Sequence, residues 1–275
     1  MTTIESTGGR VGVTPPPKSS RWRLPAREAP TGLLYISPFL IGFVLFSGLP
    51  MLASLVLSLT DFDPREPDQI TFIGLDNYTR LLADPLVGHA LLVTIRFALI
   101  SVPLTLGIAL GVAILVNSPK LAGRNIFRTL FYMPIQIPLV ASTLVWIGVL
   151  HATTGWLNLG LGSVGIEGPN WLQSVTWVGP ALALMGIWAI GNYMLIFIAG
   201  LQGVPNELYD AAKVDGAGAW ASFRNVTLPQ ISPVLFYNLV IALIGAFQFF
   251  TQAYVISNGR GDPDGATLFF NLYLY

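Results

Sequence analysis

The chain is 275 residues long, 53% hydrophobic and only 10% charged, with a mean hydropathy of +0.65. A soluble domain carries roughly 25% charge, so this deficit excludes a water-soluble globular protein and points to an all-α, polytopic transmembrane helix bundle. Basic and acidic residues balance, and the lack of cysteine excludes disulfides, thiolate metal sites and cysteine nucleophiles.

Residues 1–30 are rich in Gly, Pro, Ser and Thr and carry Arg10, Lys18, Arg21, Arg23 and Arg27. Such a segment buries too little apolar surface to fold alone. It is expected to be a disordered basic cytoplasmic tail, with residues 31–275 forming the membrane domain. Spans are expected at about Leu33–Leu59, Ala90–Val116, Leu130–Leu150, Val178–Leu201 and Ile231–Ile256, each exceeding the ~20 residues that cross a hydrocarbon core. The first connection holds Asp61, Asp63, Glu66, Asp68, Asp76 and Asp84 against Arg65 and Arg80; the second is short and basic, with Lys120, Arg124 and Arg128. Trp156, Trp171 and Trp177 in or beside the third connection read as interfacial. Lys and Arg concentrate on the side of the amino terminus, so the positive-inside rule places that terminus and residues 203–230 in the cytoplasm. After Ile256 a turn-rich SNGRGDPDG stretch leads into Ala266–Tyr275, apolar but too short to span. This end either starts a sixth helix or lies along the interface.

The polar segment NELYDAAKVDGAGAWASFRNVTLPQ, Asn206 to Gln230, lies between two spans and reads as two short helices. Pro205, Asn206 and Glu207 form a start signal with a fixed-φ residue, a capping side chain and an early acid. Leu208, Ala211, Ala212 and Val214 fall roughly on one face, Asp215-Gly216 supplies the turn, and Trp220, Phe223, Val226 and Leu228 continue a helical spacing until Pro229 stops it. A compact elbow of this kind outside the hydrocarbon suggests a docking surface for a second protein.

Asp210 to Pro229, DAAKVDGAGAWASFRNVTLP, resembles the cytoplasmic EAA loop of permease subunits in binding-protein-dependent ABC importers. Ala211, Ala212, Gly216, Leu228 and Pro229 match at the family's spacing; Asp210 stands for the usual Glu and Val226 for the Ile. Ile73–Pro85 (IGLDNYTRLLADP), Phe127–Pro134 (FRTLFYMP) and IAGLQGVPNELYDAA resemble the carbohydrate branch, the MalF-type permeases. The resemblance implies a sugar or similar small polar solute as cargo, a second homologous permease, partner ATPase subunits and an extracytoplasmic solute-binding protein. It also implies an ATPase-coupling role for Glu207, Asp210, Ala211, Ala212, Asp215, Gly216, Leu228 and Pro229. Members normally carry a sixth span, so the chain is expected to be short of the family fold at its end. No GxxxxGK[ST] loop precedes Lys18, Lys120 or Lys213; this chain is expected to bind no cofactor, with ATP and Mg used by the partner, and to be no enzyme.

Candidate pathway residues are Gln248, Phe249, Gln252, Tyr254, Asn192, Tyr193 and Arg96. Sugars need amide and hydroxyl groups beside aromatic faces, and Gln248 and Gln252 are spaced to share one helix face. The alternative for the amides is interhelical hydrogen bonding, and for Arg96 snorkelling to the headgroups. His89 and His151 lack metal-ligand spacing, and the few basic residues sit beside the membrane, which disfavours nucleic acid. A stand-alone secondary transporter is the rival reading, although inverted repeats are not visible.

Overall fold

The computed structural model describes residues 29–66 and 70–275. The tail expected at residues 1–30 lies outside the described residues as far as residue 28, and so does Asp68. Among the described residues all regular structure is helical apart from one isolated bridge between Thr60 and Phe72. The chain divides into two compact units between Thr79 and Arg80.

In the first unit, α1 (Ala29–Phe43) passes through a wide turn, Val44–Gly48, into α2 (Leu49–Leu57). Together they form a span of 27 residues, Thr31–Leu57. Pro50 removes a helix donor, and the looser turn just before it accommodates the loss. The acidic connection is tied back at Asn77, in α3 (Asp76–Ala83), whose Nδ2 donates to the carbonyls of Ser58 at 3.0 Å and Thr60 at 2.9 Å.

The second unit is built on α4 (Pro85–Asn117), 33 residues long and therefore roughly 50 Å from end to end. Asp84 caps it by accepting from the Leu86 amide at 2.8 Å, with Pro85 in the first turn. Its buried residues follow a stripe at three- and four-residue spacing through Ala90, Thr94, Ala98, Ser101, Val102, Leu106, Ala109, Ala113 and Val116. Small side chains dominate that stripe, so neighbouring helices approach closely.

The third span differs from the single helix expected at Leu130–Leu150. α5 (Arg124–Tyr132) and a tight turn, Met133–Gln136, are separated from α6 (Leu139–Val149) by a bend of 101°. Pro138 has no amide hydrogen and biases Ile137 to its extended conformation, ψ 129°. α6, with 11 residues, reaches only about 16 Å, half of a ~30 Å core. The third connection contains α7 (Trp156–Ser163). There Asn158 Oδ1 accepts from Trp171 Nε1 at 2.6 Å while its Nδ2 donates to the Ala152 and Pro169 carbonyls. The fourth span, expected as one helix, is α8 (Val175–Trp188) and α9 (Gly191–Gln202) with a 53° bend. α10 (Asn206–Val214), α11 (Ala219–Ser222) and α12 (Leu228–Gln230) form the elbow. The fifth span is α13 (Ser232–Phe247) and α14 (Thr251–Ser257), interrupted at Phe250 with φ −140° and ψ −60°.

The carboxyl-terminal segment is packed against α4. α15 (Phe270–Tyr273) follows buried Phe269 and includes buried Leu272. The Phe270 amide donates to Thr94 Oγ1 at 2.8 Å and the Tyr273 hydroxyl to Asp84 Oδ2 at 2.7 Å. Phe97, Phe249 and Phe269 meet with centroids 4.8 to 5.1 Å apart. They belong to one apolar cluster with Leu150, Val178 and Leu182; a second cluster gathers Val102, Leu106, Met194 and Phe197.

The Tyr273 hydroxyl and the Leu86 amide hold the Asp84 carboxyl below its usual pKa, and the carboxylate raises the Tyr273 phenol in return. The stabilisation from Asp84 is therefore complete above the ordinary carboxyl pKa of ~4 and lost as pH falls through the lowered value. In Tyr273→Phe the stronger donor is gone and the native Asp84 carboxyl moves back toward its ordinary pKa, so stability above pH ~4 is expected to fall and the acid limb due to Asp84 to shrink, read by thermal unfolding across a pH series. Gly191 is a second test. A Cβ there meets the Phe131 carbonyl oxygen at 2.5 Å and Tyr132 Cα at 2.7 Å, so Gly191→Ala is expected to cost about 1–3 kcal/mol by overpacking, seen as a lowered Tm.

Candidate functional site

Pro205 occupies the N-cap position of α10, with ψ 134°, and no side chain caps the helix. Asn206, expected as the cap, is instead the first helical residue, because the proline already fixes the extended entry. Glu207 in the first turn complements the positive end of the helix dipole. At the other end Gly216 has φ +76°, its amide donates to the Lys213 carbonyl at 3.0 Å, and the Ala217 amide donates to the Ala212 carbonyl at 2.9 Å. Both bonds of a Schellman motif are present, with glycine at the left-handed position.

The apolar side chains of α10 do not all turn inward. Tyr209 does, and its hydroxyl lies 3.0 Å from Thr227 Oγ1, a buried group in the second half of the elbow. Leu208, Ala211 and Val214 are exposed, Val214 by 87%. Trp220 is 72% exposed as well, so apolar side chains face outward on both short helices of a polar segment, the pattern of an interaction surface. Asp210 Oδ1 accepts from Lys213 Nζ at 2.8 Å in an open setting, and Asp215 closes α10. Nor does Pro229 stop the second helix. A wide turn at Phe223–Thr227 carries the chain through Leu228 and Pro229 to Gln230, and α13 begins at Ser232. That turn leaves room for the proline, which lacks a donor. The Tyr209–Thr227 contact is invisible in the sequence because neither residue stands out at its spacing.

A cavity of about 570 Å³ lies between the elbow and the ends of α4 and α9, lined by Asn117, Gln202, Tyr209 and Thr227 among others. Gln202 Nε2 donates to Asn117 Oδ1 at 3.1 Å across its wall.

A second cavity, about 290 Å³, opens within the bundle. Its polar lining comes from Ser101, Thr105, Asn192 and Tyr193, and its aromatic faces from Phe97 and Phe249. Ser101 and Thr105 are four apart around Pro103 on α4, a spacing in which the sequence offers two hydroxyls on one face. Buried Asn238 donates through Nδ2 to the Tyr193 carbonyl at 3.3 Å, and its Oδ1 has no partner. Gln248, Gln252 and Tyr254 do not line this cavity. The helix breaks between Gln248 and Gln252, so the shared face expected for them does not form. Tyr254 instead packs against Phe250 and Tyr275, with centroids 5.4 Å away in each case. Arg96 lines a separate cavity of about 270 Å³ with His89 and Asp264. Among the described residues no group of His, Asp and Glu is arranged to hold a metal.

Residues 103–271 match the family model of the binding-protein-dependent transport system inner membrane component. The chain belongs to that family. The permease is 41% identical over 247 residues to the probable ABC transporter permease protein YesP of Bacillus subtilis, covering 89% of this chain and 79% of YesP. It is 33% identical to the lactose transport system permease protein LacF of Rhizobium radiobacter, over 89% of this chain and 82% of LacF. It is equally identical to the trehalose/maltose transport system permease protein MalF of Thermococcus litoralis, over 91% and 86%. Its fold is that of a chain in the crystal structure of a bacterial alginate ABC transporter bound to its periplasmic protein, with TM-score 0.69, 22% identity, and coverage of 91% of this chain and 90% of that one. The expectations of an all-α membrane bundle and of an ABC permease are thereby met, and the permease is a multi-pass cell-membrane protein.

The left-handed Gly216 decides the shape of the elbow, while a Cβ on it meets nothing within 4 Å. Conformation, not space, is the constraint. Gly216→Asn is therefore expected to keep the elbow and Gly216→Val to lose it, at a cost of at least about 1 kcal/mol; amide exchange at Gly216 and Ala217 reads the difference.

Proposed function

We propose that this permease is the membrane subunit of an ABC importer that carries a sugar or related small polar solute inward. ATP hydrolysis, with its Mg, belongs to a partner ATPase, and this chain binds no cofactor of its own. The observation that carries the reading is the elbow: a fixed turn at Gly216, a tether from Tyr209 to Thr227, and the exposed apolar side chains of Leu208, Ala211, Val214 and Trp220. The ATPase docks on these side chains, with Glu207, Asp210 and Asp215 as charges on the same elbow and Leu228 and Pro229 at the passage into α13.

The sugar assignment is supported by the lactose and trehalose/maltose systems named for two relatives. It is supported chemically by the bundle cavity, where one amide and three hydroxyls stand beside two phenyl rings. Asn192, Tyr193, Ser101, Thr105 and Phe249 are the residues we assign to cargo; a second homologous permease completes the pathway, and an extracytoplasmic solute-binding protein delivers the solute. Arg96, Gln248, Gln252 and Tyr254 stand outside this set. The surplus of Lys and Arg on the elbow side supports a cytoplasmic elbow and amino terminus.

Two measurements test the reading. Affinity purification of the permease from its native membrane is expected to bring down an ATPase, and reconstituted uptake is expected to need that subunit, ATP and a binding protein. Uptake by the permease alone, driven by an ion gradient, would establish a stand-alone secondary transporter instead. Within a working importer, Asn192→Ala removes an amide from the cavity and is expected to raise the solute concentration for half-maximal uptake by about tenfold, with ATPase co-purification unchanged.

A further inference from the structure

α5 carries its side chains in three sectors. Ile126 and Leu130 form one, exposed by 65% and 54%; Phe127 and Phe131 adjoin them, and Arg124 and Arg128 come next around the helix. Such a helix suits a membrane surface, with its apolar side in the acyl region and its cations at the headgroups. The 101° turn into α6 fits a helix that runs along that surface before the chain enters the bilayer.

Between α5 and the end of α4 lies a cavity of about 470 Å³. Val112, Leu115, Val116, Leu121, Phe127 and Phe131 make its apolar wall, and Ser118 and Lys120 are its polar members. Lys120, Arg124 and Arg128 fall within nine residues, in a stretch with no acidic residue between Asp84 and Glu167. Among the described residues none of the three cations pairs with a carboxylate. Arg128 reaches Asn117 Oδ1 only at 3.4 Å through one terminal nitrogen, and its Nε is buried with no partner.

We infer that this cavity binds one anionic phospholipid, its acyl chain along the apolar wall and its phosphate at Lys120, Ser118 and Arg124. The selection comes from the headgroup. An acyl chain is already in hydrocarbon when it meets the protein, so an apolar groove alone does not choose between lipids. Each basic residue near an anionic lipid surface multiplies affinity by about fivefold, and two such residues stand exposed beside the groove. The site does not depend on what the importer carries.

The test is native mass spectrometry of the permease in its intact assembly, released from mixed micelles containing equal amounts of phosphatidylglycerol and phosphatidylcholine. One phosphatidylglycerol is expected to stay bound, preferred over phosphatidylcholine by roughly 25-fold. The double variant Lys120→Gln, Arg124→Gln, at two exposed positions, is expected to abolish the preference with no change in Tm. Leu115→Trp, also at an exposed position, narrows the groove and is expected to reduce lipid retention while the charges remain. Equal retention of both lipids by the unaltered assembly overturns the proposal, as does a preference that survives the double variant. Displacement of the lipid by millimolar glycerol phosphate would assign the cations to a free phosphate ester. Retention by the isolated permease but not by the assembly would show that a partner subunit covers the groove.

Discussion

In a bilayer the lipid tails are as apolar as the helices, so helices associate through close packing and hydrogen bonds. The stripe along α4 supplies the first of these. Ala90, Ala98, Ala109 and Ala113 bring other helices near its backbone, and α8, α9, α13 and α15 all pack there. Thr94 and Ser101 interrupt the alanines with hydroxyls that serve different ends. Thr94 fixes the start of α15 through the Phe270 amide, whereas Ser101 faces the bundle cavity. One helix therefore sets both one end of the second unit and one wall of its interior space.

The spans were legible in the sequence because hydrocarbon imposes length and composition, but their bends were not. Prolines occur in all five spans, and their consequences differ. Pro103 sits inside an α4 that continues, Pro138 ends one helix and begins another, and Pro229 is absorbed by a wide turn. The outcome depends on whether neighbours can satisfy the freed carbonyl, which is tertiary information. The elbow shows the same division. Its turn follows from Gly216, while the outward direction of Leu208 and Val214 inverts what an apolar stripe normally signals. Phe249, Asn192 and Tyr193 were recognisable as polar or aromatic residues within apolar helices, and the structure brings them to one cavity. Gln248 and Gln252 were joined by a helical spacing that the break between α13 and α14 cancels.

The elbow and the cavity are connected through few atoms. Tyr209 touches Thr227, Leu228 and Pro229 run on toward α13, and α13 supplies Asn238 to the backbone of Tyr193. Asn238 is fully buried with one acceptor left open. Its polar group is costly in that setting, and it lies on the helix that links the elbow to the wall of the bundle cavity.

Gly191 adds a lateral dimension to that arrangement. The start of α9 rests directly on the backbone of Phe131 and Tyr132 at the end of α5, too closely for any side chain to intervene. Asn192 and Tyr193 are the next two residues. The stretch of α9 that lines the bundle cavity thus starts hard against the backbone of an amphipathic helix, and any shift of α5 passes directly to Asn192 and Tyr193.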